Sequence, residues 1–304
     1  MMPYQVHEFG SPIFQQFPWA QITTFKLSTL HVLDLWKFLG RCIHLSELTV
    51  CRVECTSPDP SDFNLAGSRL YLDLVNRSEL VTLPCLTSID IHFSGYEPEL
   101  DCGLTVLFSK LTAPALEHLA VSIDPRKSHY TKTGWPHDVF DSFVARSTDH
   151  SSGLFTLSSL FIKLPITAFS LLSVLDLLPC LTELEITENS ESYTEEKLIS
   201  DEFLYGLRIS QMNTGPLFGA ESRVPRLLHL CLNMGYHNTP FKTETLNEMV
   251  RSRWILDPTC ASGMGVACLR SIKVNGDKRT REEALGYESL KELERSGLQV
   301  KIIP

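Results

Sequence analysis

The sequence predicts an α/β fold assembled from repeated strand-plus-helix units, and three observations carry that prediction. The pattern Leu-x-x-Leu-x-Ile, clearest in Leu181-Thr-Glu-Leu184-Glu-Ile186, recurs through the whole chain. Each copy alternates apolar and polar residues at its end, the period-2 signal of a short strand with one buried face. Most copies are followed by apolar residues at helical spacing.

Residues 1–18 carry no clear period. Ile22-x-x-Phe25-x-Leu27 is the first strand, and Leu30 to Cys42 places Leu35, Phe38, Leu39 and Cys42 on one helical face, with Gly40 near its stop. Leu45-x-x-Leu48-x-Val50 is the second strand, followed by the least regular part, residues 52–80, with the turn-rich Ser57-Pro-Asp-Pro-Ser-Asp62. Leu86-x-x-Ile89-x-Ile91 comes next, then a helix marked by Leu104, Leu107, Phe108 and Leu111, and the fourth strand is Leu116-x-x-Leu119-x-Val121. A polar loop covers about residues 123–134. Pro136 then opens a helix with Val139, Phe140, Phe143 and Val144 on one face, since the first turn tolerates a missing N–H.

Leu157-x-x-Leu160-x-Ile162 is the fifth strand, and its helix carries Phe169, Leu172 and Leu175. The copy at Leu181 is followed by an acidic segment, with Ile199, Phe203 and Leu207 as the apolar stripe of a helix. After Leu227-x-x-Leu230-x-Leu232, a helix bears Leu246, Met249 and Val250, and Thr245-x-x-Glu248 has the form of a capping box. Leu269-x-x-Ile272-x-Val274 is the eighth copy, and a helix with Leu290 and Leu293 leads to the closing strand Leu298-x-Val300-x-Ile302.

The eight copies begin at residues 22, 45, 86, 116, 157, 181, 227 and 269, with spacings of 23, 41, 30, 41, 24, 46 and 42. The short spacings match the ~20–29 residues of a leucine-rich repeat, and the long ones need inserted loops or longer helices. An ordinary doubly wound α/β protein does not usually repeat one pattern in one register eight times. One unit cannot cover its own apolar face. Each buried Leu or Ile contributes roughly 1.5–3 kcal/mol, and stacking the units buries them. The expected architecture is a leucine-rich-repeat solenoid: an irregular horseshoe with a parallel sheet on its concave face and helices outside. The expected organisation is an N-terminal extension, residues 1–18, and a repeat array over residues 19–304.

Composition narrows the function classes. A net charge of −9 argues against a general nucleic-acid binder, whose footprint is a dominant basic face. The longest apolar run, Ile166 to Leu181, is interrupted by Asp176 and Pro179 and is too short for a membrane span. The first residues show no secretory signal. Nine cysteines without a C-x-x-C pair fit a reducing compartment, cytoplasmic or nuclear. Cys42, Cys85, Cys180, Cys231 and Cys268 lie in or beside the apolar strands and read as buried small hydrophobes. Cys51 and Cys55 stand closer to ligand spacing, but no matching pair completes a zinc site.

Several stretches resemble the F-box/leucine-rich-repeat proteins numerous in mushroom-forming fungi. They are Phe17-Pro-Trp19-Ala-Gln-Ile-Thr-Thr-Phe-Lys-Leu27, Cys42-Ile-His-Leu-Ser-Glu-Leu-Thr-Val50, Leu83-Pro-Cys-Leu-Thr-Ser-Ile-Asp-Ile91, Leu246-Asn-Glu-Met-Val-Arg-Ser-Arg-Trp254 and Gly297-Leu-Gln-Val-Lys-Ile302. Together they cover most of the chain from Trp19 onward. The resemblance implies that an F-box of about forty residues docks on the adaptor of an SCF-type ubiquitin ligase while the repeats hold the substrate. The residues before Trp19 are too few for an F-box and lack its Leu-Pro-x-Glu opening. The expectation is that it lies upstream or has been lost, so a cullin-ligase adaptor is a partner only if an F-box precedes this chain.

Residues between the apolar positions of each strand face the concave surface. One row reads Thr24, Glu47, Ser88, His118, Ser159, Glu183, His229 and Ser271. The next reads Lys26, Thr49, Asp90, Ala120, Phe161, Glu185, Cys231 and Lys273. From these rows Glu47, Asp90, His118, Phe161, Glu183, Glu185, His229 and Lys273 are the candidate protein-binding residues, with Phe161 the aromatic anchor. A loop over Phe161 is an equally good reading of its exposure. Asp90, His92 and His118 fall on adjacent strands, but such groups rarely converge on a flat sheet, so no metal is expected. Asp149-His150-Ser151 has the residue types of a triad, yet consecutive residues do not easily form the relay. No phosphate loop, H-E-x-x-H or G-x-S-x-G is present, and no cofactor or catalytic residue is expected. The segment 183–202 holds eight carboxylates and one lysine, read as a solvated helix face or a docking site for a basic partner; Lys278, Arg279 and Arg281 read as a soluble cap. The expected function is non-enzymatic recognition of a protein, as the substrate-binding part of an SCF-type receptor. The alternative is a free-standing leucine-rich-repeat scaffold with no ligase connection.

Overall fold

All eight copies of the Leu-x-x-Leu-x-Ile pattern become strands, each beginning two residues after the first position of its copy. The structure is a computed structural model describing residues 16–28, 30–31, 39–54, 80–93, 97–123, 135–148, 153–188, 197–209, 222–234, 241–255, 265–276 and 287–303. The protein is α/β, with parallel strand pairing and helices between many of the strands. The chain divides into two units, residues 1–128 with 138–155, and residues 129–137 with 156–304.

The first unit contains β1 (Thr24–Leu27), β2 (Leu30–His31), β3 (Glu47–Glu54), β4 (Val81–Thr82), β5 (Ser88–Phe93), helix α1 (Glu97–Lys110), β6 (Leu111–Thr112), β7 (His118–Ile123) and helix α2 (His137–Ser147). Strands β1, β3, β5 and β7 pair in that order, all parallel. Leu48, Val50, Ile89, Ile91, Leu119 and Val121 are at most 2% exposed, so one face of this sheet is core. A bulge in β3 between Val50 and Val53 re-aims Cys51 and Arg52. Phe108 of α1 meets Phe140 and Phe143 of α2 at ring-centroid distances of 4.9 and 5.3 Å, near the aromatic optimum.

The second unit contains β8 (Ser159–Lys163), α3 (Ala168–Asp176), β9 (Glu183–Thr187), α4 (Asp201–Gly206), β10 (His229–Asn233), α5 (Thr243–Arg253), β11 (Ser271–Asn275), α6 (Glu288–Arg295) and β12 (Gln299–Ile303). Its strands pair in chain order, all parallel. Thr167 and Ser200 cap α3 and α4, their hydroxyl oxygens accepting from the N–H groups of Ser170 (3.2 Å) and Phe203 (3.3 Å). Gly206 lies so close to α3 that a Cβ there would stand 2.5 Å from Leu172 Cδ1.

Local chemistry repeats with the strands. Leu86, Leu116, Leu181 and Leu227 donate their N–H groups to the carbonyls of Leu83, Ala113, Leu178 and Val224, three residues earlier. Each of those residues is followed by proline (Pro84, Pro114, Pro179, Pro225), the residue that pre-sets the second position of such a turn. The turn delivers the chain to its strand, and the residue before the strand then donates to the previous unit: Thr182 N to Ser158 O and Leu228 N to Thr182 O, both at 2.8 Å.

Several details differ from the sequence expectation. Leu30 and His31 extend the sheet, although the apolar spacing places them at the start of a helix; residues 32–38 lie outside the described residues. Leu111 leaves its helix for the short pair β4–β6 and is buried there. Helix α5 starts at Thr243 after Lys242, so Thr245 sits inside the first turn and forms no capping box. Phe169 is 73% exposed; the buried stripe of α3 runs through Ala168, Leu171, Leu172, Val174 and Leu175 instead. Of the cysteines read as core residues, Cys42 is buried; Cys180, Cys231 and Cys268 are half-buried and Cys85 is exposed. Cys85 follows the proline of its turn and Cys231 points to the polar face of β10, neither being a core position. The Asp149-His150-Ser151 triplet, the basic cluster at Lys278, Arg279 and Arg281, and residues 189–196 of the acidic segment lie outside the described residues.

Candidate functional site

The polar face of each sheet is built by register. In the first unit Glu47, Ser88 and His118 are Cα partners across β3, β5 and β7, with Thr24 joining them from β1. Lys26, Thr49, Asp90 and Ala120 form the next row. Glu47, Asp90 and His118 are all exposed, while their apolar neighbours on the same strands are buried. Asp90, His92 and His118 occupy three different rows, and His92 Nδ1 lies 2.8 Å from Ser122 Oγ on the adjacent strand.

In the second unit Ser159, Glu183, His229, Ser271 and Gln299 share one row across five strands. Phe161, Glu185, Cys231, Lys273 and Lys301 share the next. The candidates Phe161, Glu183, Glu185, His229 and Lys273 therefore stand on one face of one sheet. Phe161 is half-buried, Glu183 exposed, and Glu185, His229 and Lys273 half-buried. His229 Nδ1 lies 2.7 Å from Ser271 Oγ.

A polar network on this face was not foreseen from the sequence. Asn233 Nδ2 donates to Glu185 Oε1 at 2.7 Å and to Thr187 Oγ1 at 2.9 Å, and Asn275 Nδ2 donates to Asn233 Oδ1. The signal was present: Leu232-Asn233 and Val274-Asn275 place an asparagine directly after the last apolar residue in two neighbouring copies. Asparagine there turns its amide along the face, bridging three strands. The network holds the Glu185 carboxylate in place beside Cys231. Burial, and then the Glu185 charge, push the Cys231 thiol up to about 11, so it is an inert thiol at neutral pH.

Two arginines support the frame. Arg253 is fully buried with no carboxylate partner among the described residues, and burial lowers its pKa to about 10. Its guanidinium donates to the carbonyls of Leu207 (2.6 Å), Val224 (3.2 Å) and Arg223 (2.6 Å). Leu207 ends α4, where helix carbonyls have no intrahelical donors and the dipole favours a cation. In the first unit Arg146 of α2 donates to Phe108 O in the last turn of α1 and to Leu111 O of β6, and Ser147 Oγ accepts from Ala113 N at 3.0 Å.

Among the described residues no group of three His, Cys, Asp or Glu side chains is placed to hold a metal ion, and no helix is long and apolar enough to cross a membrane. The chain matches no protein-family model, and the search of curated proteins finds no match either.

Proposed function

We propose that this chain is a non-enzymatic protein-recognition module of the leucine-rich-repeat type, selecting the substrate of an SCF-type ubiquitin-ligase receptor. The observation that carries the recognition reading is the register of the polar faces. Charged and polar side chains stand in straight rows on strands whose other face is core, and Glu183, Lys273 and Lys301 have no ion-pair partner among the described residues. A parallel sheet fixes the backbone that bears such side chains at regular intervals, so binding orders side chains alone and no backbone. The spacings of the repeats and the in-register strands support the leucine-rich-repeat reading. The ligase context rests on the resemblance of the five stretches from Phe17 to Ile302.

The test is to tag the full-length product of the native gene and crosslink it in cells. The SCF adaptor, the cullin and any third protein are then identified from wild type and from a Glu183→Lys/Glu185→Lys variant. Adaptor and cullin together with a third protein lost in the variant is the expected result. A third protein lost in the variant, without adaptor or cullin, makes the chain a free-standing scaffold.

A further inference from the structure

One row of the polar face of the second unit, from Phe161 to Lys301, is electrically ordered along the direction that crosses its strands. β9 carries two carboxylates, Glu183 and Glu185; β11 and β12 carry two ammonium groups, Lys273 and Lys301, in the row of Glu185. β8, on the far side of the carboxylates, presents Phe161 in that same row and Lys163 one row on, so the charge order belongs to the row of Glu185. Neighbouring strands stand ~4.8 Å apart, so the backbone of β9 is about 10 Å from that of β11 and about 14 Å from that of β12. At those separations the charges do not neutralise one another. No ion pair within 4 Å joins these charges among the described residues. Asn233 holds the Glu185 carboxylate at 2.7 Å, which fixes one pole of the surface.

We infer that this face takes an extended protein segment lying across the strands, with an apolar residue over Phe161, a basic residue over the two glutamates and acidic residues over Lys273 and Lys301. The inference rests on the protein-recognition reading above and adds the chemistry of the partner. An extended chain advances ~3.3 Å per residue. The basic residue therefore stands within about two positions of the apolar one, and the acidic residues lie about three and four positions beyond it, in either chain direction. A segment with the opposite order of charge meets like charge at both poles, which excludes it.

The experiment is a display selection of random twelve-residue peptides on the purified full chain, repeated on Lys273→Glu/Lys301→Glu, whose exposed and half-buried lysines can be reversed without disturbing the core. Circular dichroism confirms that both chains are folded. The expected result is enrichment on the wild type of peptides in which the basic residue lies between the apolar one and the acidic ones, read from either end. The best of them should lose about tenfold or more in affinity on the variant, which should select basic residues at the former acidic positions. Enrichment with no charge order, or with the same order on both chains, overturns the inference and leaves protein recognition standing. No enrichment on either folded chain overturns the inference. Crosslinking then separates the two readings: a cellular partner lost in Glu183→Lys/Glu185→Lys keeps protein recognition, and the absence of one removes it too.

Discussion

Arg253 Nε donates to the carbonyl oxygen of Leu207 at 2.6 Å, tying the last turn of α5 to the end of α4. The same guanidinium holds Val224, a β-branched residue at φ 43°, in the left-handed region that L-residues rarely adopt. One buried cation thus satisfies three carbonyls and secures a strained turn ahead of β10. Arg253→Met leaves Leu207 O without that donor, while Val224 O keeps the N–H of Leu227 and Arg223 O keeps the hydroxyl of Ser222, and should cost about 2 kcal/mol in chemical denaturation. Arg253→Lys should recover only part of it, since one ammonium cannot span the three acceptors.

Phe140 and Phe169 test which aromatic side chains hold the protein together. Phe140 is fully buried against Phe108, and Phe140→Ala should cost about 3–5 kcal/mol. Phe169 is largely exposed, and Phe169→Ser should shift stability by no more than about 0.5 kcal/mol. Equilibrium urea unfolding of both variants separates them.

The raised pKa of Cys231 should be visible in alkylation kinetics. At pH 8, iodoacetamide should label the exposed Cys51 and Cys85 well before Cys231, as read by peptide mass mapping. Glu185→Gln removes the neighbouring negative charge and should speed labelling of Cys231 at pH 9. Equal rates in the two chains would show that the carboxylate does not act on the thiol.

Glu188 links stability to pH. Burial raises its pKa above the ordinary 4.5, against the opposing pull of the Ile199 N–H, which donates to Oε1 at 2.8 Å. A raised folded-state pKa means that the folded protein binds this proton more tightly than the unfolded chain. The contribution of this group is therefore fully present below pH 4.5 and declines as pH rises through the folded pKa. Glu188→Gln keeps an acceptor for Ile199 and should flatten that decline. The comparison is denaturant unfolding of the two chains from pH 4.5 to pH 7.5.

The strands were legible because one pattern governs both their period and their spacing: Leu48, Ile89, Leu184 and Leu230 alternate with polar residues, and alternation has only one regular structure to satisfy it. The rows of candidate residues followed from the same period, and Glu183, His229 and Ser271 are register partners. Helix faces were harder. Phe169 fits a helical stripe by spacing, but Ala168 and Leu171 lie on the face that is covered, and only the packing decides between them. The Arg253 clamp was hidden for a different reason. An arginine near a helix end reads as a solvated charge unless the carbonyls it meets, here 29 to 46 positions earlier, are known. The asparagine bridge was hidden in the same way, since Asn233 and Glu185 are 48 positions apart.

Among the described residues of the second unit, β9, β10 and β11 each pair with the strand before and the strand after in the chain, and β12 pairs with β11. A pulling force applied at Ile303 therefore meets one ladder at a time, β12 on β11 first and β11 on β10 next. Such a sheet yields like a zipper, tooth after tooth. Each tooth frees one strand with the chain that joins it to its neighbour, on the order of 10 nm of slack. The core beneath the remaining teeth stays closed until its own turn comes.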